Sequence, residues 1–382
     1  MNETLLTWII FIVTFGGVVI IHEIGHFVAA RLVKIEVEEF GIGFPTPGAI
    51  TMFTWQGTRF TFNWLPIGGF VRPKGENDPN VEGGLAAAAP WKRLFVLSAG
   101  PIMNLLAAVI VISIIISQMG GIIVSPPADA TGPQKILITE VIPNSPAEKA
   151  GLLMGDVLLT ADGKKLNTTD EASNYIKTHP GTPILFEFLR NGNTLELTIT
   201  PLMDENAGRA LIGVGFCGGC EFQPITTLGT NLKYSIQFTG AQIYSLITLP
   251  IKLIRGSVDP EQGRLVGLKG IFDIMSQSVS SDVEASQTQP SSSSAPNPYN
   301  APVQTLSIIA LLSISLGIFN LFPVPALDGG RIIFVLPELI FRRRVPHQFE
   351  NLVHGIGMTL LLLLMIYVNV RDFIDPISAT FP

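Results

Sequence analysis

Four long stretches of this chain carry almost no charge, and they restrict its fold more than any other feature. Leu5–Ile21 is uncharged and leads into His22, Glu23 and His26; Leu94–Ser125 and Ala301–Leu327 are uncharged; Leu352–Val370 holds one histidine and no other ionisable group. A helix that crosses the hydrocarbon core needs about 20 apolar residues. In lipid every backbone N–H and C=O must be satisfied internally, which selects helices. The sequence therefore predicts a polytopic α-helical membrane protein with four transmembrane helices at roughly 4–32, 94–118, 303–322 and 352–370. Composition agrees: 14% of residues are charged, against about 25% in an ordinary soluble domain. The net charge of −6 offers no basic face and argues against a nucleic-acid partner.

The first span is not read as a cleaved signal peptide, because Met-Asn-Glu-Thr lacks a positive leader and the apolar stretch is too long. Basic residues set the orientation. Arg31, Lys34, Arg59, Arg72, Lys74, Lys92 and Arg93 lie between spans one and two, and Arg342, Arg343 and Arg344 precede span four. The positive-inside rule puts both loops in the cytoplasm, and the long 119–302 segment and both termini outside. Residues 234–251 are uncharged but carry Ser235, Gln237, Thr239, Gln242 and Ser245. A fifth span there would move the arginine cluster outside, so an interfacial amphipathic helix is expected instead.

The outer segment begins with a β-rich pattern. Ser145-Pro-Ala-Glu148 resembles a capped helix start, and Gly151 stops that helix. Gly155-Asp156 leads a strand, and Asn191-Gly192 between two apolar runs signals a hairpin. Ser145 to Leu159 resembles the PDZ pattern of helix, Gly-Asp and strand. Modules of that kind bind extended peptide ends by adding a strand to a sheet edge. The expected organisation is a first membrane part at 1–122, a PDZ-like α/β module at 123–203, an amphipathic juxtamembrane segment at 204–275, a flexible Ser/Pro-rich linker at 276–302 and a second membrane part at 303–382. Cys217 and Cys220 cannot complete a zinc site by themselves; a disulfide and a pair of free thiols remain open.

The chemistry starts at His22-Glu23-Ile24-Gly25-His26, an H-E-x-x-H motif. On a helix the histidines stand one turn apart on one face, so both imidazoles can reach one Zn2+, with Glu23 placed as general base. Ionisable groups within a span are costly and are functional by default. Catalytic zinc keeps a third protein ligand. Span three supplies a candidate in Asn320-Leu-Phe-Pro323-Val-Pro325-Ala-Leu-Asp328-Gly-Gly330, where the prolines interrupt the helix ahead of Asp328. His22 lies roughly 27 Å along span one at about 1.5 Å per residue. Asp328 follows a span entered from the opposite side, so both fall near the cytoplasmic boundary.

With these two motifs the chain resembles the site-2 protease family of intramembrane zinc metalloproteases. The four spans with one PDZ-like module resemble its bacterial regulator of sigma-E protease-like branch. The resemblance implies that His22, His26 and Asp328 bind zinc and that Glu23 is the catalytic base. It implies that Asn320 holds substrate backbone or the oxyanion, with Asn104 of Gly100-Pro101-Ile-Met-Asn104 near the active site, and Pro323 and Pro325 as further substrate-binding candidates. It also implies that residues 50–63 form a membrane-associated β-hairpin on which substrate is drawn out as a strand. The implied partners are the lipid bilayer and single-span membrane proteins, such as anti-sigma factors or remnant signal peptides, cut in a bacterial inner membrane by regulated intramembrane proteolysis. The 276–302 segment, the single PDZ-like module and Gly267-Leu-Lys-Gly-Ile depart from the family pattern and touch substrate gating. Two other classes remain: a catalytically silent receptor or chaperone that binds peptide ends, and a metal-ion transporter, against which the lack of repeated spans argues.

Overall fold

The computed structural model of the protein describes residues 3–76, 78–125, 134–142, 145–190, 192–204, 208–257, 263–287 and 303–375. They form two units. One lies within Met1–Ile114, Leu232–Ser280 and Gln304–Pro382, and the other within Ile115–Asn231 and Ser281–Val303.

The first unit opens with α1 (Glu3–Leu32), a helix of apolar residues with no internal proline that ends beside Arg31. Four strands follow: β1 (Val37–Phe44), β2 (Ile50–Trp55), β3 (Thr58–Phe62) and β4 (Leu65–Pro73). Their order is β2-β3-β1-β4, with β2–β3 an antiparallel hairpin, β1 parallel to β3 and β4 at one edge. Glu39 is buried in this sheet and held by Arg72 at 3.1 Å and by the Thr61 hydroxyl at 2.9 Å. Ile50, Met52, Phe53 and Trp55 of β2 are exposed. Ala29, Ala30 and Val33 at the end of α1 pack with Ile35, Val37, Leu85 and Val96. Val96 belongs to α2 (Pro90–Met119), which starts on a proline, the residue best suited to a first helical turn.

The second unit contains β5 (Gly121–Val124), β6 (Ile136–Val141), α3 (Pro146–Lys149), β7 (Val157–Ala161), β8 (Lys164–Lys165), α4 (Thr169–Lys177), β9 (Ile184–Arg190), β10 (Asn193–Ile199), β11 (Leu202–Asp204), β12 (Arg209–Leu211), β13 (Val214–Gly218) and β14 (Glu221–Pro224). Its main sheet runs β10-β9-β7-β6-β13, with β8 on β7. Strand β13 therefore completes the module beyond the expected boundary at 203, because its residues pair antiparallel with β6. The core is Ile136, Ile138, Leu158, Ile184, Phe186, Phe188 and Ile199, with Ala147, Ala172 and Ile176 from the two helices. Ser145 caps α3 through Glu148 N–H, as the capping pattern predicts. Asn191 lies outside the described residues, but the strands on either side of it pair in register. Cys217 and Cys220 form a disulfide just before β14.

The aspartate of Gly155-Asp156 has a structural task. Asp156 is 1% exposed and accepts hydrogen bonds from Arg190 at 2.7 and 2.6 Å and from Leu153 N–H at 2.9 Å. Arg190 is partly exposed and can turn to water, so losing the hydrogen bonds to Asp156 is expected to cost about 1–3 kcal/mol. Asp156→Ala is expected to speed amide hydrogen exchange through β6, β7 and β9 by a matching factor. Unchanged exchange there would show that the pair does not hold the module together.

The chain returns to the first unit along α5 (Leu228–Ile254), followed by α6 (Leu268–Gln287), α7 (Gln304–Leu321), α8 (Asp328–Phe341) and α9 (His347–Ile374). Among the described residues, α1, α2, α7 and α9 are long and apolar enough to cross a membrane, matching the four expected spans. Helix α5 reverses the polarity of an ordinary surface helix. Ser235 and Thr239 are buried, while Ile236, Tyr244, Ile247 and Ile251 are exposed. Its Ile243 and Leu246 pack against Ala108 of α2 and Ile314 of α7. Helix α6 carries regular structure through 276–287 of the segment expected to be a linker, with Ser278 and Val279 buried. Apolar residues at helical spacing order that stretch despite its serines, and 288–302 lie outside the described residues.

Candidate metal centre

The helical spacing of α1 puts His22 and His26 on one face, with ring centroids 4.7 Å apart. Helix α7 ends at Leu321, and the chain turns through Pro323 and Pro325 before α8 begins at Asp328. The N-cap of α8 is Leu327, which makes no side-chain cap, and Asp328 in the first turn reaches outward. Asp328 Oδ2 lies 3.1 Å from His22 Nε2 and 3.3 Å from His26 Nε2. The two Nε2 atoms are 3.1 Å apart. Neighbouring ligands of a tetrahedral ion with bonds of about 2.0 Å are separated by about 3.3 Å, so the three atoms span one face of such a site. Among the described residues no other group of three metal-ligating side chains converges in this way.

The partners of the two rings test the fit further. His26 Nδ1 is 2.8 Å from the carbonyl of Val96, so Nδ1 carries the proton and the Nε2 lone pair faces Asp328. His22 Nδ1 meets the side-chain amide of Asn104 at 3.3 Å, and Asn104 Oδ1 is buried without a partner. Exchanging the oxygen and nitrogen of that amide, which are assigned rather than observed, lets Oδ1 accept from His22 Nδ1–H. The flip gives His22 the tautomer that ligation requires, as the Val96 carbonyl does for His26. The donor set fits zinc.

Close approach of α1 and α2 makes this possible. A Cβ on Gly25 would stand 2.5 Å from the carbonyl oxygen of Ala99, and one on Gly100 would stand 2.4 Å from His26 Nε2. Beside the three ligands is a cavity of about 250 Å³, lined by Glu23, Phe70, Val71, Glu76, Asn320 and Arg331 among others. The edge strand β4 passes directly by Glu23, since a Cβ on Gly69 would lie 3.6 Å from Glu23 Cγ. Arg331, one turn beyond Asp328, forms an ion pair with Glu76 across this cavity. Arg93 binds Glu338 of α8 at 2.7 Å and further fixes α8 against α2.

The expected site residues thus divide. His22, His26, Asp328 and Glu23 come together, and Asn320 lines the cavity with its amide N–H donating to the Leu316 carbonyl at 3.0 Å. Asn104 does not line the cavity; it is fully buried behind His22. Pro323 and Pro325 shape the loop ahead of Asp328 and are not among the cavity walls. Sequence reasoning did not single out Glu76, Arg331 or Val96, which meet the site only through tertiary structure. Gly25 and Gly100 left a signal, as small residues in apolar helices mark close helix contacts.

Two imidazoles and a carboxylate converging on a cavity that Glu23 also lines are the groups a metallopeptidase would use to hold zinc and a general base, here assembled among candidate membrane helices. The chain belongs to peptidase family M50, whose sequence profile matches residues 10–364. Its relatives include the zinc metalloprotease RasP of Geobacillus kaustophilus, 29% identical over 97% of this chain and 99% of that protein. A protein of Clostridium perfringens that carries a zinc metalloprotease name is 31% identical over 97% of this chain and 99% of its own length. Among solved structures, a PDZ domain of an SdrC-like protein from Listeria monocytogenes matches 23% of this chain and 93% of that domain, at 20% identity and a TM-score of 0.21.

Proposed function

We propose that this zinc metalloprotease cleaves the membrane-spanning segments of single-span proteins in a bacterial inner membrane. The observation that carries the reading is the cavity in which edge strand β4 runs beside Glu23 and the three converging ligand atoms. A helical peptide bond is shielded by its own hydrogen bonds and must be unwound before attack. Pairing with β4, which lies by Glu23, rather than with the β2–β3 hairpin expected to take the substrate, replaces those bonds. The exposed apolar side chains of β2 suit a sheet that sits in the membrane surface.

His22, His26 and Asp328 hold the zinc, which when bound supplies Lewis-acid polarisation of a carbonyl and of water. Glu23 takes a proton from the attacking water and delivers it to the leaving amine nitrogen. Asn320 lines the same cavity and stabilises the oxyanion, while Asn104 and the Val96 carbonyl hold the two imidazoles in place. The basic loops support a reading in which this site faces the cytoplasm and the PDZ-like module and both termini lie outside. Anti-sigma factors or remnant signal peptides, shortened by an earlier cut, fit such a site, and the PDZ-like module gates their entry by sensing the new chain end.

The test is metal analysis of the purified protein in detergent, wild type beside His22→Ala and Asp328→Ala. About one zinc per chain is expected in the wild type, with a strong loss in both variants. Full zinc in Asp328→Ala would break the link between α1 and α8 and return the receptor and transporter readings.

A further inference from the structure

The turn from Phe322 to Leu327 has to hold Asp328 against two imidazoles, yet it contains two prolines, and Ala326 adopts φ +78°, a left-handed conformation unfavourable for an L side chain. Something outside the turn must impose this shape. Two residues of α9, one turn apart on one face, meet it. Ala326 N–H donates to His354 Nδ1 at 2.9 Å. A Cβ on Gly357 would stand 2.3 Å from Pro325 Cβ, so the helix and the turn touch there with no room for a side chain. The His354 ring also packs on Phe334 of α8, with centroids 5.4 Å apart. It therefore touches both the turn and the helix that Asp328 begins.

The hydrogen bond fixes the state of the ring. Because Nδ1 accepts, the proton of the neutral imidazole is on Nε2. Nε2 is buried without a protein partner, and the residue lines a second cavity of about 130 Å³ together with Glu350 and Asn351. A polar cavity of that size has room for ordered water.

We infer that His354, backed by Gly357, is a positioning residue for Asp328, so that the last span fixes the third metal ligand from behind. The inference rests on the reading of Asp328 as a ligand. It is tested on the full chain in detergent by competition for the metal with a chelator, and by the visible absorption of the Co2+-loaded protein, which reports the ligand set. His354→Leu and Gly357→Ala are expected to weaken metal retention by about 10- to 100-fold, the range seen when groups behind a ligand are removed. Both should alter the Co2+ spectrum. His354→Asn keeps an acceptor near the Nδ1 position and is expected to restore retention and spectrum. Wild-type retention in His354→Leu or in Gly357→Ala overturns the inference, as does an Asn variant that behaves like Leu. If His354→Leu does not fold, Gly357→Ala decides, since it disturbs the same turn and leaves the histidine in place. A wild-type protein that binds no metal would defeat the proposed function itself. Metal lost on Asp328→Ala but retained on His354→Leu would defeat only the positioning role.

Discussion

Glu23→Gln is expected to keep its zinc and lose its activity. The side chain lies on α1 between the two histidines and lines the cavity, but it is not one of the three converging ligand groups. Glutamine has nearly the same shape and cannot take a proton. A positioned general base contributes about 10²- to 10⁴-fold to rate, so cleavage of a single-span substrate should fall by about that factor at unchanged metal content. The other carboxylate lining the cavity besides Asp328 is Glu76, and its ion pair with Arg331 makes it a poor substitute. Wild-type cleavage by the variant would mean that Glu23 is not the base.

Gly100→Ala is expected to be as damaging without touching any ligand. The new methyl would stand 2.4 Å from His26 Nε2 and 2.8 Å from Cδ2 and Cε1. The clash falls where α2 already lies in close contact with α1, at Gly25 against Ala99 and Gly100. The imidazole must swing away, which breaks its hydrogen bond to Val96 and removes one ligand from the set. Zinc per chain should drop steeply, and activity with it. The control is Gly16→Ala on α1, where nothing lies within 4 Å of the added carbon and no loss is expected. A Gly100→Ala protein with full zinc and activity would show that α1 and α2 are more loosely packed around the site.

Much of this was legible in the chain itself. The spans were visible because lipid admits only long apolar helices, and their ends agree with α1, α2, α7 and α9 to within a few residues. The convergence of His22, His26 and Asp328 was visible because an H-E-x-x-H face and an aspartate after a broken helix are costly in a membrane unless they are used. What stayed hidden depends on which helices touch. Nothing local pairs Asn104 with His22, or His354 with Ala326, because those contacts join residues far apart in sequence. The first part of the 276–302 segment differs for another reason. Serine-rich composition suggests a linker, but α6 continues through 276–287 with Ser278 and Val279 buried, and packing there outweighs the weak helix preference of serine. Helix α5 was expected as an interfacial amphipathic helix, and it is not among the candidate spans. Composition alone does not say which face points inward.

Asp328 lies 302 residues after His26, so the ribosome makes the two halves of the converging trio at different times. At about 5–20 residues per second, the interval is roughly 15–60 s. Throughout it the nascent chain holds both histidines of the trio without the carboxylate that meets them. Synthesis of the first helices and closure of the trio are therefore separate events in the making of the chain.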